Sequence, residues 1–276
     1  MIDKPARIAL LIDADNSPAA KIDVILAELA KIGVSNIRRA YGNWKKDALK
    51  GWEAVLHEYA IRPVQQFDYS KGKNATDMVM VIEAMDLLYT DRPEAFGIVS
   101  SDADFTPLVM HLKAKGAQVF GFGAKKTPLP FVNACSRFLY LENLGQTEAA
   151  AEPRAAKTAK PRAKAAATAK GGKDGKDSSG DANGEAAPTR MDTGALKQDA
   201  RLVSLLRNAV ESAAGEDGWS ALGRVGQQIG NQASFDARNY GYRKLSDLIE
   251  ATQLFDIDKR DKHLYLRDKR LAKGGG

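Results

Sequence analysis

The amino-acid sequence predicts an α/β fold, a mostly parallel sheet flanked by helices, followed by a small C-terminal winged helix-turn-helix domain. Short β-rich runs alternate with longer helical patterns through the first half of the chain. Alternation of that kind implies a parallel sheet covered on both faces. Near the C-terminus, three helical stretches precede two short alternating runs around Lys259, Arg260, Asp261 and Lys262. That order suits three helices and a basic-tipped hairpin.

In chain order, residues 8–12, 36–41, 61–67, 96–100 and 118–122 read as strands, and helical patterns fall at 18–31, 47–59, 75–89 and 105–115. Ser17 with Pro18 suits a helix cap and a first helical position. Gly33 and Gly116 follow lysine-containing last turns, as helix stops do. From about 149 to 192 the composition shifts to Ala, Lys, Gly, Asp and Ser with no aromatic residue. Such a segment buries too little surface to offset its conformational entropy, so it is expected to be a tether. Its first half is basic, which suits either a solubilising spacer or a phosphate-attracting arm. Beyond it, 198–213, 220–229 and 242–251 read as helices, with strands at 255–258 and 263–266. The expected boundaries are a first domain over 1–145, a disordered basic linker over 146–195 and a second domain over 196–270.

A chain of 276 residues has room for two modules. Its net charge of +6 favours polyanionic partners, although part of the excess sits in the expected tether. No run approaches the roughly 20 apolar residues that cross a bilayer, and the first residues lead into a strand without a signal-peptide core. The single cysteine, Cys135, can form no internal disulfide and reads as a buried small hydrophobe. The expectation is a cytoplasmic protein with no membrane association.

Open α/β sheets bind ligands beyond the carboxyl ends of their strands. Here the first strand ends in Asp13-Ala14-Asp15-Asn16, the fourth in Ser100-Ser101-Asp102-Ala103-Asp104, and Asp77 opens the third helix. With strands one and four adjacent, Asp13 and Asp102 would project into one crevice, with Asp77 and Asp104 at its rim. Crowded carboxylates repel unless a proton or cation intervenes. A hard divalent cation suits them and points to phosphodiester chemistry, since it activates water and neutralises phosphate. Each acid alone also suits a turn, a cap or a helix dipole; it is their concurrence that favours a metal site. Asp13-Ala14-Asp15 also admits a haloacid-dehalogenase-like phosphatase in which Asp13 is the nucleophile, forming an aspartyl-phosphate, and Asp15 the acid.

Lys45 and Lys46 follow strand two, and Lys71 and Lys73 precede Asp77, so these cations could line the path of a phosphodiester backbone. Trp44 would either stack on a base or anchor its loop, and Trp52 reads as core. His57, His111 and His263 have no nucleophile or metal partner in the pattern and receive no catalytic role.

Leu11-Ile12-Asp13-Ala14-Asp15-Asn16, Lys71-Gly72-Lys73-Asn74-Ala75-Thr76-Asp77 and Ile98-Val99-Ser100-Ser101-Asp102-Ala103-Asp104-Phe105 resemble the successive signatures of NYN domains, PIN-like nucleases that include the LabA-like proteins. The resemblance implies a PIN-like, metal-dependent ribonuclease using Mg²⁺ or Mn²⁺. Asp13, Asp77 and Asp102 would be its metal-binding carboxylates, Asp104 would join or support them, and Asn16 would help hold the phosphate or the first loop. Ala103 departs from the small polar residue or glycine of many relatives without removing a ligand. Some NYN-like domains are binding or regulatory modules, which leaves an RNA-binding regulator as the alternative.

The run Ser234-Phe235-Asp236-Ala237-Arg238-Asn239-Tyr240-Gly241-Tyr242-Arg243-Lys244-Leu245 resembles a LOTUS, or OST-HTH, domain. The resemblance implies a winged helix that binds RNA, or a protein partner in some relatives. Trp219, Leu222, Phe235, Leu245, Leu248 and Phe255 are assigned to packing. Arg238, Tyr240, Arg243 and Lys244 are assigned to RNA contact. The combined expectation is a ribonuclease cutting RNA internally, its second domain raising local substrate concentration through the tether.

Overall fold

The computed structural model describes residues 5–67, 75–145, 190–261 and 263–272. The first domain runs β1 (Ala6–Asp13), α1 (Ile22–Ala30), β2 (Gly33–Gly42), α2 (Lys50–Glu58), β3 (Arg62–Gln65), α3 (Ala75–Thr90), β4 (Ala95–Val99), α4 (Thr106–Ala114), β5 (Gln118–Gly123), α5 (Leu129–Ala134) and β6 (Arg137–Tyr140). Its six strands pair in parallel in the order β3-β2-β1-β4-β5-β6. β1 and β4 are central, so their side chains are buried on both faces, and both are apolar almost throughout. Ile8, Leu10 and Ile12 pack with Ile25, Leu29 and Trp52 on one face. Ala9 and Leu11 pack with Met80, Phe105 and Leu112 on the other.

The chain leaves β1 toward β2 and β3, then returns to β4 on the opposite side of β1. At this switch point the β1 and β4 loops diverge, and a crevice opens at the carboxyl ends of the strands. The acids of both loops therefore face a common space.

β6 and α5 were not expected from the sequence. β6 has four residues, too few for a visible alternation, and owes its place to pairing with β5 from Phe120↔Arg137 to Gly123↔Tyr140. The fit there is tight, since a Cβ on Gly121 would lie 2.5 Å from the Phe138 ring and 2.7 Å from the Cys135 sulfur. Gly121→Ala should therefore cost about 1–3 kcal/mol. Urea unfolding reads this as a lower midpoint, and an unchanged midpoint would contradict the packing. Cys135 is buried as expected, and burial pushes its thiol up to about 12.

The second domain contains α6 (Thr193–Gln198), α7 (Ala200–Ser212), β7 (Ser220–Ala221), α8 (Leu222–Gln232), α9 (Leu245–Thr252), β8 (Phe255–Arg260), β9 (His263–Asp268) and a final turn α10 (Lys269–Ala272). Its antiparallel sheet has the order β7-β9-β8, and Leu202, Leu206, Val225, Ile229, Leu248 and Phe255 build its core. This is the expected winged helix with two corrections. Ser220–Ala221 pairs with β9 instead of starting a helix. Trp219 is outside the core: it lies half-buried between the guanidinium groups of Arg260 and Arg267, 5.3 and 4.6 Å from its ring centroid. α6 begins inside the segment assigned to the linker, whose residues 146–189 lie outside the described residues. Among the described residues, no helix is long and apolar enough to cross a membrane.

The second domain docks against β6, which is the edge of the large sheet. The Asn239 side chain accepts from the Tyr140 N–H at 3.2 Å and donates to the Phe138 carbonyl at 2.9 Å. One amide thus supplies the donor and acceptor that a further strand would offer an open edge. Beside it, Arg137 and Arg238 both pair with the buried Asp236, and Arg238 also reaches Glu28 on α1 at 2.6 Å.

Candidate active site

Asp13, the last residue of β1, is fully buried at the carboxyl edge of the sheet. Asn16 Nδ2 donates to both of its oxygens at 3.0 and 3.3 Å, and Ser100 Oγ donates to it at 3.0 Å. The same Ser100 hydroxyl accepts from the Asp102 N–H at 3.1 Å. It therefore ties the acid of β1 to the acidic loop after β4. Asp102 caps the turn Ala103–Phe105 by accepting from the Asp104 N–H at 2.8 Å, which points one of its oxygens into the loop and turns Asp104 toward the rim. At the start of α3, Thr76 Oγ1 donates to Asp15 at 2.9 Å, and Lys46 pairs with Asp15 at 3.2 Å. These contacts hold the helix carrying Asp77 against the β1 loop.

The acids act on one another. Burial raises the Asp77 carboxyl, and the charges of Asp13, Asp102, Asp104 and Asp15 add to it, bringing it to about 6. Burial also raises Asp13, with a contribution from Asp15, against the hydrogen bonds of Asn16 and Ser100. Coulombic coupling reaches beyond contact distance. Among the described residues, no three carboxylates, histidines or cysteines are gathered closely enough to cage a metal ion. The donor set is nonetheless that of a hard cation: all oxygen, with excess negative charge and a buried carboxylate. Mg²⁺ retains waters and usually takes only one or two carboxylates plus substrate phosphate, so a closed cage is not required.

Sequence reasoning gave Ser100 and Thr76 no role in the site, and gave Asp15 only that of the acid in the phosphatase alternative. All three lie inside the quoted motifs, and a hydroxyl at the carboxyl end of a central strand is the signal that could have singled out Ser100.

The expected RNA contacts divide. Lys45 is exposed, its ammonium 5.0 Å from the Phe67 ring centroid, while Lys46 is engaged with Asp15. Trp44 is the anchor of its loop, its indole donating to the Val64 carbonyl at 3.0 Å. Lys71 and Lys73 lie outside the described residues. The expectation for Arg238 is corrected, because its guanidinium is largely buried and spent on Asp236 and Glu28. Tyr240 is corrected as well: it stacks on Phe235 with centroids 5.9 Å apart, and burial pushes its phenol up to about 12. Arg243 and Lys244 remain exposed just before α9.

The sheet order and the acids at its switch point define a PIN-like α/β fold. The NYN domain family matches residues 7–142 and the OST-HTH/LOTUS domain family matches residues 196–266. The chain is thus an NYN domain followed by an OST-HTH/LOTUS domain, and the NYN match spans Asp13-Ala14-Asp15. An uncharacterized protein of Methanocaldococcus jannaschii is 31% identical over 124 residues, covering 43% of this chain and 48% of that protein. The chain therefore spans about half the length of this curated relative. A crystal structure of a protein of unknown function from Vibrio parahaemolyticus aligns over 51% of this chain and 95% of its own, with 16% identity and a TM-score of 0.42. A solution structure of an uncharacterized Nitrosomonas europaea protein aligns over 24% of this chain and 70% of its own, with 39% identity and a TM-score of 0.23.

Proposed function

We propose that the chain is a metal-dependent ribonuclease that cuts RNA internally, with the C-terminal domain holding the substrate. The observation that carries this reading is the mutual field of Asp13, Asp15, Asp77, Asp102 and Asp104 at the sheet's switch point. The NYN and OST-HTH/LOTUS matches support a nuclease-like and RNA-binding role at the coarser level.

Mg²⁺ or Mn²⁺, when bound, would supply an activated water and a positive centre for the scissile phosphate. Asp13, Asp77 and Asp102 would hold the ion, with Asp104 at the rim. Asn16 and Ser100 fix the Asp13 carboxylate through the hydrogen bonds they donate, leaving it no freedom to turn away. Lys45, with Lys71 and Lys73, would draw the RNA backbone toward the crevice, and Arg243 and Lys244 would hold it on the second domain. Lys46 would orient Asp15 and the loop instead.

The test is incubation of the full chain with structured and single-stranded RNAs in Mg²⁺ or Mn²⁺. Internal fragments are expected, with none in the presence of a chelator. Asp102→Asn should slow cleavage more than about 100-fold, beyond the usual cost of altering a residue that only supports a ligand. Identical products from both proteins would end the proposal. The OST-HTH/LOTUS match also suits one other reading, an RNA-binding regulator that cuts slowly or not at all. It predicts RNA binding indifferent to Asp102→Asn and no fragments from either form.

A further inference from the structure

A cleft of about 440 Å³ lies at the seam between the two docked domains. The first domain lines it with Lys31, Arg137 and Asn143, and the second with Arg238 and Arg243. Two carboxylates, Glu28 and Asp236, also face it. Both are committed: Asp236 accepts from Arg137 and from the side chain and backbone of Arg238, and Glu28 accepts from Lys31 and Arg238 at 2.6 Å each. Four side-chain cations thus face two carboxylates, and the cleft is net positive.

The remaining hydrogen-bonding capacity is on the donor side. Asn143 is only 8% exposed, and its Nδ2 has no hydrogen-bond partner. That nitrogen has no surface open to the cleft, so Asn143 shapes the wall and makes no contact with an occupant. Arg243 is exposed and makes no ion pair among the described residues. The side chains of Arg137 and Lys31 remain 42% and 64% exposed, leaving N–H groups beyond those given to the carboxylates. Planar guanidinium groups match the oxygens of phosphate in pairs.

We propose that this seam binds a phosphate group, with Arg137 and Arg243 as its charged contacts from opposite domains and Lys31 at the mouth. The site is separate from the acidic crevice. Lys31 caps the end of α1 two residues before β2 and Arg137 opens β6, so these two cations stand at the amino ends of the strands, whereas Asp13 closes β1 at its carboxyl end. Each domain supplies part of the site, so an occupant binds only the docked arrangement and stabilises it by mass action. The phosphate could belong to an RNA strand or to a free nucleotide. The inference stands on the docking of the domains and does not rest on cleavage.

The test titrates the full chain, calorimetrically, with inorganic phosphate, adenosine monophosphate and a short RNA. Each titration is run without divalent metal and repeated with Arg243→Ala, an exposed residue whose removal leaves the core intact, and with Arg62→Ala, an exposed cation on the opposite edge strand β3, as a control. Arg243→Ala should weaken binding about ten-fold or more, the usual effect of losing a charge-assisted hydrogen bond, while Arg62→Ala should leave it unchanged. Weakening with all three ligands identifies a phosphate site open to strand or nucleotide, and weakening confined to the small ligands identifies a nucleotide. Weakening confined to RNA, which Arg243 would give as an RNA contact of the second domain alone, would overturn the proposal, as would equal affinities for wild type and Arg243→Ala with all three ligands. So would an equal loss in Arg62→Ala, because the effect would then be one of net charge and not of the seam.

Discussion

Without metal, the protein should lose stability as the pH rises through about 6, and Mg²⁺ or Mn²⁺ should restore it only above that point. The Asp77 carboxyl is raised from its ordinary 3.8 to about 6 by burial and by Asp13, Asp102, Asp104 and Asp15. A carboxyl with a raised folded value binds its proton more tightly in the native state than in the unfolded chain. Its contribution is therefore complete below 3.8 and gone once the pH has passed about 6. Asp13 is raised too and acts in the same direction. After discounting for solvent around the half-buried Asp77, the loss is about 1–2 kcal/mol.

A divalent cation held as proposed would reverse the sign, because it would need the carboxylates charged and would offset their repulsion. Thermal midpoints at about pH 5 and about pH 8, each with and without metal, measure the effect. The gain from metal should be small at the lower pH and clear at the higher one. Asp77→Asn should raise the metal-free midpoint at the higher pH and erase the gain from metal. It should also slow RNA cleavage more than about 100-fold, joining a gain in stability to a loss of function. Equal metal gains at both pH values, or a lower metal-free midpoint for Asp77→Asn, would show that repulsion among these acids is not what the site balances.

The crevice was legible because its determinants are local. A central parallel strand must be apolar on both faces, so β1 and β4 announce themselves, and Asp13 ends the first while Asp102 follows the second by three residues. Asp77 was legible for the same reason, as the acid opening the helix that follows an expected strand. β6 was not, because four residues carry no period and its open edge is completed by Asn239, about a hundred residues further along. Arg238 and Tyr240 were assigned to RNA contact because they combine a cation, hydrogen-bond donors and a ring near a helix N-terminus. Their partners, Glu28 and Phe235, become visible only once the two domains dock and the turn folds back. Trp219 failed in the opposite sense: a large aromatic is normally core, but outward arginines on β8 and β9 cover it in place of aliphatic neighbours.

Removal of Asp236 should have the largest effect on stability. Its carboxylate is 4% exposed and accepts from Arg137, from the Arg238 guanidinium and from the Arg238 N–H. Asp236→Ala leaves Arg238 largely buried with Glu28 as its remaining carboxylate, and deletion of one member of a buried ion pair costs about 3–5 kcal/mol. Burial alone would raise the Asp236 carboxyl, but the hydrogen bonds from Arg238 and the charges of Arg137 and Arg238 outweigh it and hold the group below its ordinary 3.8. Glu28 is lowered in the same way by Arg238 and Lys31, again against its burial. For a lowered carboxyl the stabilisation is complete above the unfolded value and disappears as the pH falls through the folded one, so the seam should hold at neutral pH and fail in acid. In denaturant, Asp236→Ala should unfold its second domain in a separate, earlier transition, and small-angle scattering at neutral pH should show a larger radius of gyration. Arg137→Ala gives the control, because it removes an interdomain contact and leaves the turn capped by Asp236 intact. It should enlarge the radius while leaving the second domain's own stability nearly unchanged. An Asp236→Ala protein with a single transition at the wild-type midpoint would mean that the ion pairs do not hold the two domains together.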